Sequence, residues 1–295
     1  MIKVIKIKNM FKNRKNFINQ NYIGLTLTVI FTVYYNLLFY NKYFPITEGW
    51  FSSYSNLINM GYIPYEDFFL FLMPLYPYQL ALFQEIFGYK IIYLRIFGVV
   101  IMALFAVFLY LILNRRFNAI SSMFATTSSI VFYCSGVAFI NYDFTQVMTL
   151  YALISVYFIL KAEDYINHKK SYLYLFFAGL FLSLTFLIKQ SNGLFIALFC
   201  TIAILIIFIR RKILLSQKNK LLIFIIGAII PLTVTLIWLL KNDLSIFFID
   251  QVIFGSIKSK GTGIYEIIFS WIKRLDLNLI YERFKLFTIL TLIYS

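Results

Sequence analysis

The chain has 295 residues, of which 61% are hydrophobic and only 13% charged. A soluble domain runs at about 45–50% apolar and about 25% charged, so one water-surrounded core cannot absorb this excess and lipid must be part of the solvent. The net charge of +15 invites a nucleic-acid reading. The basic residues, however, fall in short clusters between long apolar runs, the pattern of cytoplasmic loops and not of a groove-binding face. Cys134 and Cys200 both lie inside apolar runs, His168 sits beside Lys169 and Lys170, and no Cys/His spacing suits a metal.

Residues 1–21 form a basic leader with Lys3, Lys6, Lys8, Lys12, Arg14 and Lys15. The run Tyr22–Tyr40 behind it is long for a signal-peptide core and lacks a small-x-small cleavage site, which predicts a retained anchor with its N-terminus inside. Residues 41–90 follow as a loop. Within it Phe68–Phe87 is apolar enough to span, yet it contains Pro74, Pro77, Gln79, Gln84 and Glu85. Charge parity decides its place. If this segment crossed, the three later basic loops would face outward; if it stays on the outer surface, they join the leader inside. We therefore read 41–90 as an outer loop with juxtamembrane helices, Phe68–Phe87 being a juxtamembrane or shallow re-entrant one.

Residues 91–240 read as six transmembrane helices: Ile91–Leu113, Asn118–Ile140, Phe144–Leu160, Tyr172–Ile188, Gly193–Ile209 and Leu221–Leu240. The stretch from Asn118 to Leu160 is about two bilayer cores long and must fold back, at Asn141-Tyr142-Asp143. A second hairpin turns at Lys189-Gln190-Ser191-Asn192-Gly193. Residues 241–285 form an outer segment whose Ile264–Leu275 stretch has the apolar spacing of a surface helix, and 286–295 open a helix that the sequence cuts short. The expected fold is an all-α polytopic membrane protein.

With this topology only Glu163 and Asp164 of the twelve acids lie inside. A site that needs carboxylates belongs on the outer side. Glu48 follows the first helix, Glu66 and Asp67 follow a Gly61…Pro64 turn, and Arg95 stands at the outer end of the next helix. A carboxylate beside an arginine at a membrane surface can take a proton while the arginine binds phosphate; equally, these are ordinary interfacial charges. Asp143 serves either a site or the cap of the following helix. Lys189 is either a phosphate ligand or an interfacial lysine reaching for water.

The loop carries in order the short elements Glu48-Gly49, Gly61-Tyr62-Ile63-Pro64-Tyr65-Glu66-Asp67-Phe68, Pro74-Leu75-Tyr76, Phe87-Gly88 and Arg95-Ile96. In that order they resemble the first outer loop of GT-C superfamily glycosyltransferases, in the protein O-mannosyltransferase and aminoarabinose-transferase group (glycosyltransferase family 39 and its bacterial relatives). Asp143 and Lys189-Gln190 match later family positions. Two departures stand out: Thr47 where relatives carry aspartate, and a single Pro74 where they often have a pair.

The resemblance implies a GT-C-type helical bundle and an inverting sugar transfer at the outer face of the plasma membrane. The donor would be a polyprenyl-phosphate sugar, and the acceptor a glycan, lipid or protein. Glu48 would be the general base. Asp67 and Asp143 would position the acceptor or a cation, Arg95 and Lys189 would bind the donor phosphate, and Tyr65 and Gln190 would support them. A divalent cation, if one is used, would fall to Glu48 and Asp143. Two other classes fit the composition: a flippase or transporter for lipid-linked glycan, and an inactive scaffold of the same fold. The chain shows no internal repeat of the transporter kind. A reporter fused after Phe51 should register outside, and one after Arg116 or Lys212 inside; an outward Arg116 fusion would mean that Phe68–Phe87 crosses.

Overall fold

The computed structural model describes residues 2–39, 41, 45–137, 142–210 and 218–255. Among them, α1 (Ile2–Leu37) leads into two shorter helices, α2 (Pro45–Asn59) and α3 (Leu75–Phe87). Six long helices follow: α4 (Ile91–Leu113), α5 (Ala119–Val137), α6 (Phe144–Asp164), α7 (Lys170–Ile188), α8 (Gln190–Arg210) and α9 (Lys218–Lys241). A short α10 (Ser245–Phe248) runs into a π-helical turn, Ile249–Phe254. The protein is an all-α polytopic membrane protein. Four described helices are long and apolar enough to cross a bilayer: Ile91–Leu113, Phe144–Asp164, Lys170–Ile188 and Asn219–Lys241. The surface-helix stretch Ile264–Leu275 and the run from Leu286 lie outside the described residues.

The anchor read over Tyr22–Tyr40 falls on α1, which ends at Leu37 and carries Thr28, Thr32 and Asn36 at four-residue spacing. All three are buried, and each donates to the carbonyl four residues back, on Gly24, Thr28 and Thr32 respectively. Such back-bonding lets a polar stripe sit inside a bundle without exposing hydrogen-bond groups to lipid.

The segment between α1 and α4 also departs from expectation. The helix expected over Phe68–Phe87 begins only at Leu75, behind Pro74, and Phe68–Met73 is irregular backbone. Pro77 lies in the first turn of α3, where a missing N–H costs nothing. At 13 residues α3 is about 20 Å long, too short to cross. The stretch that begins at Pro45 is helical, so Glu48 stands in α2 and not in a loop.

Contacts sort the bundle into two ends. At one, Arg115 pairs with Asp164, the Ser171 hydroxyl donates to Ala162, and Lys220 donates to the Ile166 carbonyl. Tyr110 donates to the Asn21 carbonyl there, bringing the N-terminal part of α1 to the same end. At the other end lie Arg95, Asp143 and Lys189, so α1 and α4 meet the segment joining them at one end of the bundle.

Glycine sets the closest helix approach. A Cβ on Gly179 of α7 would collide with the Phe224 carbonyl oxygen of α9, and one on Gly227 with that of Phe176. Reciprocal small residues let the two backbones touch, the usual source of helix association in lipid. Gly179→Ala or Gly227→Ala forces the helices apart and should cost about 1–3 kcal/mol, the usual penalty of overpacking. The expected readout is a lowered thermal midpoint in detergent; an unchanged midpoint in both variants would refute this packing.

Candidate active site

The end of the bundle that holds Arg95, Asp143 and Lys189 is organised around a buried ion pair. Glu48 is fully buried in α2, and Arg95 of α4 is 8% exposed. The Arg95 Nε donates to Glu48 Oε1 at 3.0 Å and Nη2 donates to Oε2 at 2.8 Å, a two-pronged contact. Tyr142 donates its hydroxyl to the Glu48 backbone carbonyl at 3.2 Å, so the α5–α6 break is tied to the same turn of α2. Aromatic edges close the gap, with Phe51 against Tyr76 at 5.0 Å and against Phe144 at 5.4 Å. Phe51, Tyr76 and Tyr142 are all at most 1% exposed, so this part of the site is dry.

Asp143 caps α6. Its Oδ1 accepts from the Thr145 backbone N–H at 2.6 Å and from the Thr145 hydroxyl. Both cap bonds fall on Oδ1. Burial pushes the Asp143 carboxyl above the ordinary aspartate range, opposed by the Thr145 bonds and by the charge of Lys189. Lys189, the extended residue between α7 and α8, holds its ammonium 4.5 Å from the centre of the Phe144 ring. The turn expected over five residues is therefore a single residue, since α8 starts at Gln190. Burial first, then the Asp143 carboxylate and Tyr142, push the Tyr76 phenol well above its usual range. Tyr76 thus belongs to the same electrostatic neighbourhood.

The remaining sequence-nominated residues form a strap beside this centre. Tyr65 is buried at φ 74°, a left-handed conformation that costs a side-chain-bearing residue free energy. Three hydrogen bonds hold it there. Its N–H donates to Phe68 at 3.0 Å, its hydroxyl to the Leu72 carbonyl at 2.8 Å, and its own carbonyl accepts from Gln251 at 2.6 Å. Gln251 also accepts from the Leu70 N–H at 2.8 Å, and Gln190 donates to the carbonyls of Phe71 and Val252, each at 3.2 Å. Asp67 is exposed, and its carboxylate accepts from the Ile63 N–H at 2.7 Å, closing the turn that precedes the strap.

Thus Glu48, Arg95, Asp143 and Lys189 gather at one end, while Tyr65 and Gln190 brace the adjoining strap. Asp67 is engaged in its own turn. Among the described residues no three His, Cys, Asp or Glu side chains come together as a metal site. Of the two carboxylates named for a divalent cation, Glu48 is closed by Arg95 and Asp143 is half-occupied by its cap. Sequence reading missed Tyr142, Tyr76 and Gln251. Tyr142 was within the recognised polar break, but a tyrosine among 23 carries no signal until its partner is known.

The sequence model of the family described as dolichyl-phosphate-mannose-protein mannosyltransferase matches residues 73–238, more than half of the chain. The match includes Arg95, Asp143, Lys189 and Gln190 and begins after Glu48, Tyr65 and Asp67. No curated protein and no solved structure matches the chain.

The geometry revises what a Glu48→Gln substitution would do. It strips a buried arginine of its carboxylate, and breaking a buried pair from one side costs about 3–5 kcal/mol. The thermal midpoint should fall accordingly, and Arg95→Lys should also lower it because a point charge does not fill a two-pronged contact. A Glu48→Gln protein as stable as wild type would show that the pair holds nothing.

Proposed function

The chain belongs to the dolichyl-phosphate-mannose-protein mannosyltransferase family and is a membrane glycosyltransferase of the GT-C type; on that footing we propose that it moves a sugar from a polyprenyl-phosphate carrier to an acceptor at the outer membrane face, with inversion. The acceptor is a glycan, lipid or protein hydroxyl. The observation that carries this reading is the convergence of Asp143 and Lys189 beside the Glu48–Arg95 pair.

In this proposal the roles divide by how far each group is already committed. Glu48 spends both carboxylate oxygens on Arg95, so acting as base would require the pair to open. Asp143 has an oxygen outside its cap, and burial strengthens it as a proton acceptor. We assign the base role to Asp143: it takes the proton of the acceptor hydroxyl as that oxygen attacks the anomeric carbon. The sugar–phosphate bond breaks on the opposite face, and its electron pair leaves with the lipid phosphate. Lys189 stabilises the phosphate charge that develops. Arg95 and Glu48 hold α2 and α4 in register and bound the dry side of the site.

Family membership favours this over the transporter class. The basic leader and the basic loops support an inside N-terminus and an outer-face site.

Asp143→Asn tests the assignment, because asparagine caps a helix about as well as aspartate and leaves the fold in place. Transfer from a polyprenyl-phosphate sugar should fall by about 10²–10⁴-fold with an unchanged thermal midpoint. In the unsubstituted protein, activity should drop on acidification at a higher pH than an ordinary aspartate would give, since the base works deprotonated and burial raises its pKa. Full turnover by Asp143→Asn would return the base role to Glu48 or Asp67.

A further inference from the structure

The end of the bundle away from the candidate site gathers the turns between its helices into one surface. Arg115, between α4 and α5, donates through Nη1 and Nη2 to the two carboxylate oxygens of Asp164, at 2.9 and 2.8 Å, and so ties that turn to the end of α6. Lys220, near the start of α9, donates to the Ile166 carbonyl in the α6–α7 turn. The Ser171 hydroxyl donates to the Ala162 carbonyl across the same turn. Three stretches distant in sequence thus form a single platform.

Its charge is lopsided. Arg115, Arg116, Lys161, Lys169, Lys170 and Lys220 stand here against two carboxylates, Glu163 and Asp164, and Asp164 is taken by Arg115. Arg116, Lys169 and Lys170 are exposed. The ammonium groups of Lys161 and Lys170 lie 5.6 and 5.9 Å from the ring centres of Tyr157 and Tyr165, contacts that steady a cation without neutralising it. Large apolar side chains are exposed among these cations. Phe117 and Ile120, beside Arg116, are 57% and 75% exposed, and Leu173, one turn beyond Lys170, is 56% exposed.

Cations crowded onto one surface repel one another and gain from any anion that joins them. A soluble anion such as phosphate answers that need alone and has no use for exposed phenylalanine, isoleucine and leucine. A phospholipid with an anionic headgroup answers both. Its headgroup meets the long basic side chains where they reach for water, and its acyl chains cover the apolar side chains where the helices enter hydrocarbon. We propose that Arg116, Lys169 and Lys170, with Phe117, Ile120 and Leu173, form a binding surface for anionic phospholipid in the leaflet around this end, selecting it over zwitterionic lipid. Such selection does not depend on the transfer reaction at the opposite end.

Lipid retained by the full chain reads this selection directly. In micelles containing equal amounts of phosphatidylglycerol and phosphatidylcholine, lipid bound to the wild-type protein should be enriched in phosphatidylglycerol, and raised salt should remove the enrichment. One basic side chain at an anionic surface contributes about fivefold in affinity. Lys169→Gln should therefore lower the enrichment about fivefold, and the triple variant Arg116→Gln, Lys169→Gln, Lys170→Gln should abolish it. The double variant Lys90→Gln, Lys241→Gln, exposed at the opposite end, should keep it in full. Inorganic phosphate should displace no more lipid than chloride of the same ionic strength. The proposal is overturned if the wild-type protein shows no preference, if the triple variant keeps the preference, or if the Lys90 and Lys241 changes remove it equally. Displacement by phosphate beyond that by chloride would also overturn it, as the surface would then be a site for soluble anions.

Discussion

Two opposite charges buried at the edge of a membrane bundle must find each other, and the site grows from that requirement. An isolated carboxylate or guanidinium would be expelled from a dry, low-dielectric place. Paired through two hydrogen bonds, Glu48 and Arg95 can remain there, and α2 is thereby held to α4. The Tyr142 hydroxyl then docks on the carbonyl of the same glutamate, which draws the α5–α6 break against α2. Phe51 and Phe144, one on each side, fill what is left. One ion pair thus settles where α2 lies and which helix ends face it.

A second device fixes the irregular backbone between α2 and α3. Lipid-side backbone without secondary structure must be satisfied by protein. Here the Tyr65–Leu72 strap is satisfied by amide side chains from distant segments, Gln190 at the start of α8 and Gln251 in the π-helical turn. Amides suit the task because each offers a donor and an acceptor, and Gln251 uses both on one strap. The left-handed Tyr65 is the cost of this path, and its three hydrogen bonds offset the strain. The π turn Ile249–Phe254 carries Gln251, whose amide makes both contacts to the strap.

The site so bounded has two sides. On one an ion pair consumes its own charges. On the other Asp143 and Lys189 stand at the two breaks where α5 hands over to α6 and α7 to α8. Membership in a family of membrane sugar transferases gives that arrangement its interest, since an ion-paired wall and a capped carboxylate beside a lysine meet at one end of the bundle.

Much of the architecture could be read from the residues. Long apolar runs cut by polar breaks marked the six helices from α4 to α9, because lipid tolerates little else. The two breaks containing Asp143 and Lys189, and the importance of Glu48 and Arg95, were legible for the same reason: charge is rare in such a chain and must be accounted for. The state of those charges was not legible. Glu48 read as an exposed loop carboxylate, but the helix begun at Pro45 turns it inward to Arg95, 47 positions away. Phe68–Phe87 read as one helix because it is apolar enough over a span-length stretch, yet hydrogen bonds to Gln190 and Gln251 hold its first third as a strap. Local sequence determines which segments enter the membrane, since transfer from water depends on composition alone. Which charges neutralise each other and which stay available depends on who lies opposite whom, and only the tertiary structure decides that.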